Sequence, residues 1–302
     1  MTPIVEINAR FFTYPLIERA TLYALLQNAR VPIEIVGEEE ILEDDALSRY
    51  RLLFVVDPHV DSRVQTRIRD WVAGGGVLWA GPAAAAWHEF HEPSDILLDT
   101  LGLAQRPAPP PLPRETIPNS GAPVLAEGSN AFYGGPFTFR AAAAPPPFTP
   151  GAAEVLASFA DGRPAILRHR FGKGQAFFHA FPAASLTDGY GRFIAEGPEA
   201  DACRRLLRTP AEVAGVRPQV ESDSSDLLAF VRDGTDFSLV VLANGQNERP
   251  VQDARIRVSL PFRPASVTDG QGAAVAFEAD SDSATFRVSF APRWGSIYLI
   301  RR

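Results

Sequence analysis

Short apolar runs alternate along the first two thirds of the chain with longer segments in which apolar residues recur every three or four positions. The longer segments predict helices over 16–30, 61–76 and 199–215. The apolar runs before residue 82 predict the following strands: 4–11, 32–37, 51–58 and 76–81. Strands that alternate with helices of this length form βαβ units. The pattern therefore predicts an α/β fold with a mostly parallel sheet and helices on both faces.

Glycine and proline mark the connections after residue 100. The segments 105–118 and 141–150 are proline-rich and cannot continue a helix or an inner strand. Between 154 and 181 the pattern predicts three strands joined by an Asp-Gly turn and a Gly-Lys-Gly turn. The stretch FGKGQ (171–175) lacks the spacing of a phosphate-binding loop and joins two strands, so a hairpin turn explains it.

Beyond Val216 apolar and polar residues alternate at a period of two, and no helical pattern is present. Five segments show this alternation: DLLAFVRDG, FSLVVLANG, ARIRVSLPF, ATFRVSFAP and GSIYLIRR. Short alternating strands separated by turn signals about every ten residues are typical of a small β-sandwich. The sequence therefore predicts two domains, an α/β domain over 1–215 and an all-β sandwich over 216–302.

The composition excludes several classes of protein. Among the 302 residues, 46% are hydrophobic and 22% are charged, which describes a globular chain with sizeable cores. The net charge of −7 argues against a nucleic-acid partner, because binding to phosphates requires clustered Lys and Arg. No apolar run approaches the ~20 residues of a membrane span, and residues 1–25 lack a signal-peptide pattern. We therefore expect a cytoplasmic protein with no membrane span.

Four stretches of the sequence recur together in one family of enzymes. They are ATLYALLQNARVPIEIV (20–36), YRLLFVVDPHVDSRVQTRIRDWVAGGGVLW (50–79), DGRPAILRHRFGKGQAFFHA (161–180) and the closing VTDGQG with RVSFAPRWGSIYLI (267–300). In order and local signature they resemble the microbial beta-galactosidases of glycoside hydrolase family forty-two. The tyrosine-led strand, the helix that ends in Gly-Gly and the Gly-Lys-Gly hairpin recur together in this family.

The resemblance implies a fold and a role. In those enzymes a catalytic TIM barrel precedes a trimerisation domain with a class I glutamine-amidotransferase-like fold, and a small β-sandwich follows. The resemblance therefore implies a bacterial protein with a flavodoxin/amidotransferase-like first domain. It also implies a homo-oligomer, with a trimer favoured, or a place in a larger protein complex. Neither predicted domain is a barrel, so no residue takes the roles of the two glutamates that the family carries on its barrel.

An active amidotransferase needs a cysteine at the turn after a central strand, where the thiolate attacks and backbone N–H groups hold the oxyanion. The equivalent turn here is Gly81-Pro82-Ala83, which carries no nucleophile. The only cysteine, Cys203, falls within the helix predicted over 199–215, at a spacing typical of a packed residue. The sequence therefore argues against an enzyme and predicts no catalytic residue.

The loop WHEFHEP (87–93) gathers polar groups directly after that turn: His88, Glu89, His91 and Glu92. Its histidines are three positions apart, whereas a zinc-protease helix needs a separation of four, and Pro93 follows. We interpret the segment as a solvated loop at a domain or subunit contact. A loop metal site or an acid/base pair stays open as an alternative. The sequence accordingly predicts no metal and no cofactor.

Aromatic residues are numerous around the second proline-rich segment and in the loop after residue 86. The candidates for a contact surface are Trp87, Phe90, Phe132, Tyr133, Phe137, Phe139 and Phe148. Either these rings cover an edge of the sheet, or some of them form a surface for a protein partner or a sugar ring.

These observations favour a non-catalytic assembly or interaction module associated with carbohydrate processing. Two alternatives stay open. One is a glycoside hydrolase subunit or diverged hydrolase that contributes loop residues to a sugar-binding active site, and the other is a carbohydrate-binding module. An enzyme needs a pocket that brings an acid and a base within hydrogen-bond reach, whereas an assembly module needs an exposed contact surface.

Overall fold

The computed structural model describes most of the chain. The described ranges are 18–105, 124–133, 135–141, 148–186, 197–246 and 248–302. The strand predicted over 4–11 lies outside them. The chain divides into two compact units, Met1–Leu25 with Glu34–Val216 and Leu26–Ile33 with Arg217–Arg302. The division into an α/β domain over 1–215 and a sandwich domain over 216–302 stays a prediction.

Five α-helices lie within the described ranges. They are α1 (18–28), α2 (Glu38–Glu43), α3 (Ser62–Gly74), α4 (Leu98–Leu101) and α5 (Gly197–Val213). Helix α3 begins after Asp61, whose side chain accepts a hydrogen bond from Arg63 N at 2.8 Å. Gly75, with a φ of +129°, ends it. The apolar stripe of α3 is buried, as its spacing predicts.

Nine of the described strands belong to the first unit. They are β1 (Leu52–Val55), β2 (Val77–Ala80), β3 (Leu103–Gln105), β4 (Val124–Asn130), β5 (Gly135–Ala141), β6 (Thr149–Pro150), β7 (Glu154–Phe159), β8 (Pro164–Phe171) and β9 (Gly174–His179). Seven of them form one sheet in the order β1-β2-β9-β8-β7-β4-β5, and β3 pairs with β6. All four residues of β2 are buried, so both faces of this strand are covered.

Only part of this sheet is parallel. Strands β1, β2 and β9 run parallel, whereas β8, β7, β4 and β5 follow as antiparallel neighbours. The α/β class is confirmed, but the sheet is mixed, and the prediction of a mostly parallel sheet is wrong for the described strands. The tight turns explain the difference, because a strand that returns through a hairpin pairs antiparallel with the strand before it.

The strand predicted over 32–37 does not form. These residues are irregular, and Ile35 is 81% exposed. Pro32 has no N–H to donate to a ladder, and no described strand pairs with this segment. Alternation of apolar residues is not enough for a strand when no described strand lies beside it to pair with it.

The Gly-Lys-Gly hairpin predicted from the sequence is confirmed, and it packs against the end of α3. Lys173 N donates a hydrogen bond to the carbonyl oxygen of Ala73 at 2.9 Å. A Cβ atom on Gly174 would lie 2.2 Å from the carbonyl oxygens of Val72 and Gly76. Glycine is therefore required here for close approach of two backbones as well as for the turn.

The second unit is a sandwich of two four-stranded antiparallel sheets. Its strands are β10 (Val220–Ser222), β11 (Leu227–Asp233), β12 (Phe237–Asn244), β13 (Val251–Ser259), β14 (Ser266–Asp269), β15 (Phe277–Ala279), β16 (Ser283–Phe290) and β17 (Gly295–Arg301). The sheet orders are β10-β13-β16-β15 and β11-β12-β17-β14. Inward residues of both sheets share one core, which includes Ile256, Phe286 and Ile300. The predicted β-sandwich is confirmed.

Candidate functional site

The parallel strands β1, β2 and β9 end at one edge of the sheet, which is where α/β proteins place their ligand sites. Strand β2 leads there into the turn 81–86, whose four alanines are all buried. Gly81 N donates to Val55 O at 3.0 Å, and Ala85 N donates to Asp57 O at 2.7 Å. No side chain of this turn carries a nitrogen, oxygen or sulfur atom. The turn therefore offers apolar packing and no nucleophile.

Residues 88–92 form one tight turn beside it. His88 N donates to the carbonyl oxygen of Glu92 at 3.1 Å, and His88 Nε2 lies 3.3 Å from Glu92 Oε2. Phe90 N donates to His88 Nδ1 at 3.2 Å. Because Nδ1 accepts a hydrogen bond, Nε2 is the nitrogen that carries a proton toward the carboxylate. Of the four residues of the predicted loop site, the structure thus brings His88 and Glu92 into contact.

Glu89 lies at the N-terminus of α3. Its Oε2 atom accepts a hydrogen bond from Ser62 N at 2.8 Å, and its Oε1 atom accepts one from Ser62 Oγ at 2.9 Å. These hydrogen bonds hold the pKa of Glu89 below its usual value, and the one from the backbone N–H of Ser62 has the largest effect. Ser62 is the first residue of α3, where the helix dipole favours a negative charge. Glu89 therefore caps the helix.

We expect Glu89→Ala to lower the thermal midpoint of unfolding by a few degrees, because the first turn of α3 loses two hydrogen bonds and a favourable charge. Glu92→Ala is the control, since it removes a carboxylate of the same loop that contacts His88. Thermal unfolding followed by circular dichroism measures both variants. Equal midpoints would contradict a capping role for Glu89.

A cluster of aromatic rings joins the end of β1 to this loop. The imidazole of His59 stacks on the indole of Trp87, with ring centroids 5.0 Å apart and planes at 11°. The ring of His91 meets His59 edge-on at 4.9 Å. Burial, followed by the charge of the nearby His91, lowers the pKa of His59 and so favours its neutral form. Sequence analysis missed His59, although its place directly after a strand of the parallel edge was a signal.

Two carboxylates that sequence analysis also missed hold segments of the first unit together. Asp57 lies 3.4 Å from Arg19 Nε, and burial raises its pKa while Arg19 lowers it. Glu18 is buried and accepts hydrogen bonds from Ala183 N at 2.5 Å and Ala184 N at 2.9 Å. Burial raises the pKa of Glu18 to about 7 despite these two hydrogen bonds. The carboxyl group ties α1 to the chain that follows β9.

His179, the last residue of β9, is buried against aromatic neighbours. Its ring centroid lies 4.5 Å from that of Trp79 and 5.4 Å from that of Phe181. Among the described residues, neither of its ring nitrogens has a hydrogen-bond partner. Burial lowers the pKa of His179 to about 3. Since the ring is sealed from solvent, we assign it to the core of the sheet.

The aromatic candidates for a contact surface have different surroundings. Tyr133 is buried, and Phe132 and Phe148 are half-buried with ring centroids 5.4 Å from rings of β9. Phe90 is 75% exposed. Two further candidates belong to β5, and their side chains lie outside the described part of the structure: Phe137 and Phe139. Of the rings that can be placed, Phe90 offers the most surface to a partner.

A groove of about 510 Å³ lies beside α5. Two of its arginines have protein partners, since Arg204 pairs with Asp201 at 2.7 Å and Arg205 donates a hydrogen bond to the backbone carbonyl oxygen of Tyr133 at 3.3 Å. Cys203 of the same helix is buried. Within the described ranges, no group of three His, Cys, Asp or Glu side chains is arranged to hold a metal ion.

Comparison with known proteins shows which solved structures share this fold. No family profile matches the sequence, and no curated protein matches it. A catalytic mutant of Gan42B, a GH42 beta-galactosidase from G. stearothermophilus, matches over 94% of this chain and 36% of its own, with a TM-score of 0.60 and 16% identity. The chain has the fold of part of a GH42 beta-galactosidase. The resemblance predicted from the sequence is thereby confirmed.

Two further solved structures extend this likeness. A beta-galactosidase from Bacillus circulans sp. alkalophilus matches over 94% of this chain and 37% of its own, with a TM-score of 0.61 and 18% identity. Alpha-L-fucosidase isoenzyme 2 from Paenibacillus thiaminolyticus matches over 94% and 45%, with a TM-score of 0.63 and 11% identity. The chain thus spans less than half the length of each of these three structures. In the described part of the chain, no helix has the length and apolar character needed to cross a bilayer.

Proposed function

We propose that this chain is a non-catalytic assembly module for carbohydrate processing, similar to the trimerisation region of beta-galactosidases. The turn 81–86 carries the proposal, because an amidotransferase presents its cysteine after this strand and the present chain has buried alanines there. The parallel strands β1, β2 and β9 support an amidotransferase-like assignment of the first unit, since that fold is built on a parallel sheet.

The loop beside that turn supports a structural role. Glu89 holds the start of α3, and His88 pairs with Glu92 inside one turn. A general acid or base has to reach a proton of the substrate, and these groups already have protein partners. The exposed ring of Phe90 lies in the same loop, where a second protein can bury it.

We expect the purified chain to form a closed oligomer, with a trimer favoured, so that light scattering gives a multiple of 32.8 kDa. Phe90→Asp should reduce this mass, because a stable contact buries roughly 800 Å² per partner and accommodates an unpaired charge poorly. Phe137→Asp and Phe139→Asp test the two candidates on β5.

Ile35→Asp is the control for this experiment, since Ile35 is 81% exposed and lies outside the loop. It should leave the mass unchanged. A mass that stays at 32.8 kDa on concentration would refute the proposed assembly role.

A further inference from the structure

The two sheets of the sandwich differ in the side chains that they turn outward. The sheet β10-β13-β16-β15 turns arginines and carboxylates to the outside. Three ion pairs lie on it: Arg255–Glu278 at 4.0 Å, Arg257–Glu221 at 3.7 Å and Arg287–Asp253 at 2.7 Å. This is the ordinary pattern of an antiparallel sheet with one face in the core and the other in water.

In the other sheet, strands β11, β12 and β17 turn mainly apolar side chains outward, whereas the edge strand β14 turns out polar side chains; the inward positions belong to the core. The strand register places Phe230, Val241 and Ile297 in one row, because Val241 pairs with both of the others. The next row places Leu239 beside Leu299. We define the apolar face by six outward residues: Leu228, Phe230, Leu239, Val241, Ile297 and Leu299.

Residues of the apolar face are partly exposed. Phe230 is 38% exposed and Ile297 is 45% exposed. Phe237, which is outward by the same alternation at the start of β12, is 44% exposed. Neighbouring side chains of this size form a contiguous apolar surface, and such surfaces mark contact sites. The outward side of the other sheet carries ion pairs instead. This contrast indicates that the apolar face contacts another molecule.

We propose that a second copy of this chain covers the apolar face, with the two sheets packed face to face about a two-fold axis. Strands β12 and β17 are the inner strands of the sheet, and the pair Val241–Ile297 lies near the middle of both. The outward charges Arg232 and Arg301 lie on the edge strand and at a strand end. An apolar centre with a charged rim is the anatomy of a protein contact. A two-fold axis needs no other complement, because each copy presents the same face.

The size of the apolar face sets the expected strength of this contact. Three strands about 4.8 Å apart, with about seven residues at about 3.4 Å each, cover roughly 340 Å² in projection. Standard interfaces bury roughly 800 Å² per partner, so we expect a dissociation constant in the micromolar range or weaker. A sugar is a poorer occupant, because aliphatic side chains give no hydrogen-bond partner to its hydroxyl groups.

Sedimentation velocity over a series from micromolar to near-millimolar protein tests the proposal on the full chain. Ile297→Arg should raise the dissociation constant at least about tenfold, because it places a charge at the centre of the contact. Thr285→Arg is the control, since it adds the same charge at an outward position of the ion-paired sheet. The unfolding midpoints of both variants show whether folding is intact. Association weakened equally by both variants overturns the proposal.

Cross-linking locates the contact. Facing sheets lie about 10 Å apart, so a short bis-maleimide should join two copies of Ile297→Cys. Thr285→Cys should give no covalent dimer, and the native Cys203 is buried in both variants. If two copies cross-link at position 297 and Phe90→Asp leaves the mass of the oligomer unchanged, the proposed function is refuted and the two-fold contact is not. If the mass of the oligomer does not change with concentration, falls in Phe90→Asp, and no cross-link forms at position 297, the two-fold contact is refuted and the proposed function is not.

Discussion

Gly174→Ala is expected to lower the free energy of unfolding by roughly 3 kcal/mol. The added Cβ would lie 2.2 Å from the carbonyl oxygens of Val72 and Gly76, which are backbone atoms with no freedom to rotate away. The oxygen of Gly76 also accepts a hydrogen bond from Gln175 N at 3.2 Å. Relief of the clash therefore requires that the hairpin and the end of α3 move apart, which breaks contacts on both.

Gly162→Ala, in the hairpin between β7 and β8, is the control for this variant. Gly162 has a φ of +85°, and an added Cβ has nothing within 4 Å. Only backbone strain remains there, and it costs about 1 kcal/mol. Urea denaturation measures both losses, and an unchanged m-value shows that the unfolded states are comparable. Equal losses would mean that close approach to α3 is not what Gly174 provides.

His179→Phe is expected to become more stable relative to the natural chain as the pH falls. Burial lowers the pKa of His179 from 6.5 to about 3. Between these values the unfolded chain binds a proton that the folded chain does not. The stability that neutral His179 contributes is therefore complete above pH 6.5 and is lost as the pH falls toward 3. Each pH unit within that window costs about 1.4 kcal/mol, and a phenylalanine ring carries no such proton.

Denaturant unfolding at several pH values between neutral and acid measures the difference between the natural chain and His179→Phe. Glu18 acts in the opposite direction, because its folded pKa of about 7 lies above the usual 4.5 and the stability it contributes is lost as the pH rises toward 7. Both chains carry Glu18, so its contribution cancels in the difference. Phe181→Leu disturbs the same cluster without a titrating group, and its cost should not change with pH. A difference for His179→Phe that is also constant would contradict the prediction.

Local pattern predicted the parts of the fold that local chemistry specifies. The strands after residue 216 alternate with a period of two, and in β12 burial follows that alternation residue by residue. Helix α3 begins after Asp61 and ends at Gly75, and both caps are visible in the sequence. The order of the seven-stranded sheet is different, because β9 pairs with β2 although about 100 residues separate them in the chain. No pattern within one segment specifies such a pairing.

The candidate site was predicted less completely for the same reason. The loop 87–93 is visible because its polar residues are adjacent in sequence. Glu18 lies in a helical pattern in which a carboxylate ordinarily faces water, and its hydrogen-bond partners are 165 and 166 residues away. His59 gains its role only by stacking on Trp87. These residues act through remote contacts, whereas the predicted residues form a local cluster.

The hairpin that holds α3 also carries an exposed primary amine. Lys173, at its tip, is the single lysine of the chain. It precedes β9, so it lies at the sheet edge opposite the turns that follow β2 and β9. Of all the side chains, an amine-reactive dye or a coupling surface would therefore modify only Lys173. Attachment through Lys173 would fix the molecule in one orientation, with the loop of Phe90 directed away from the support.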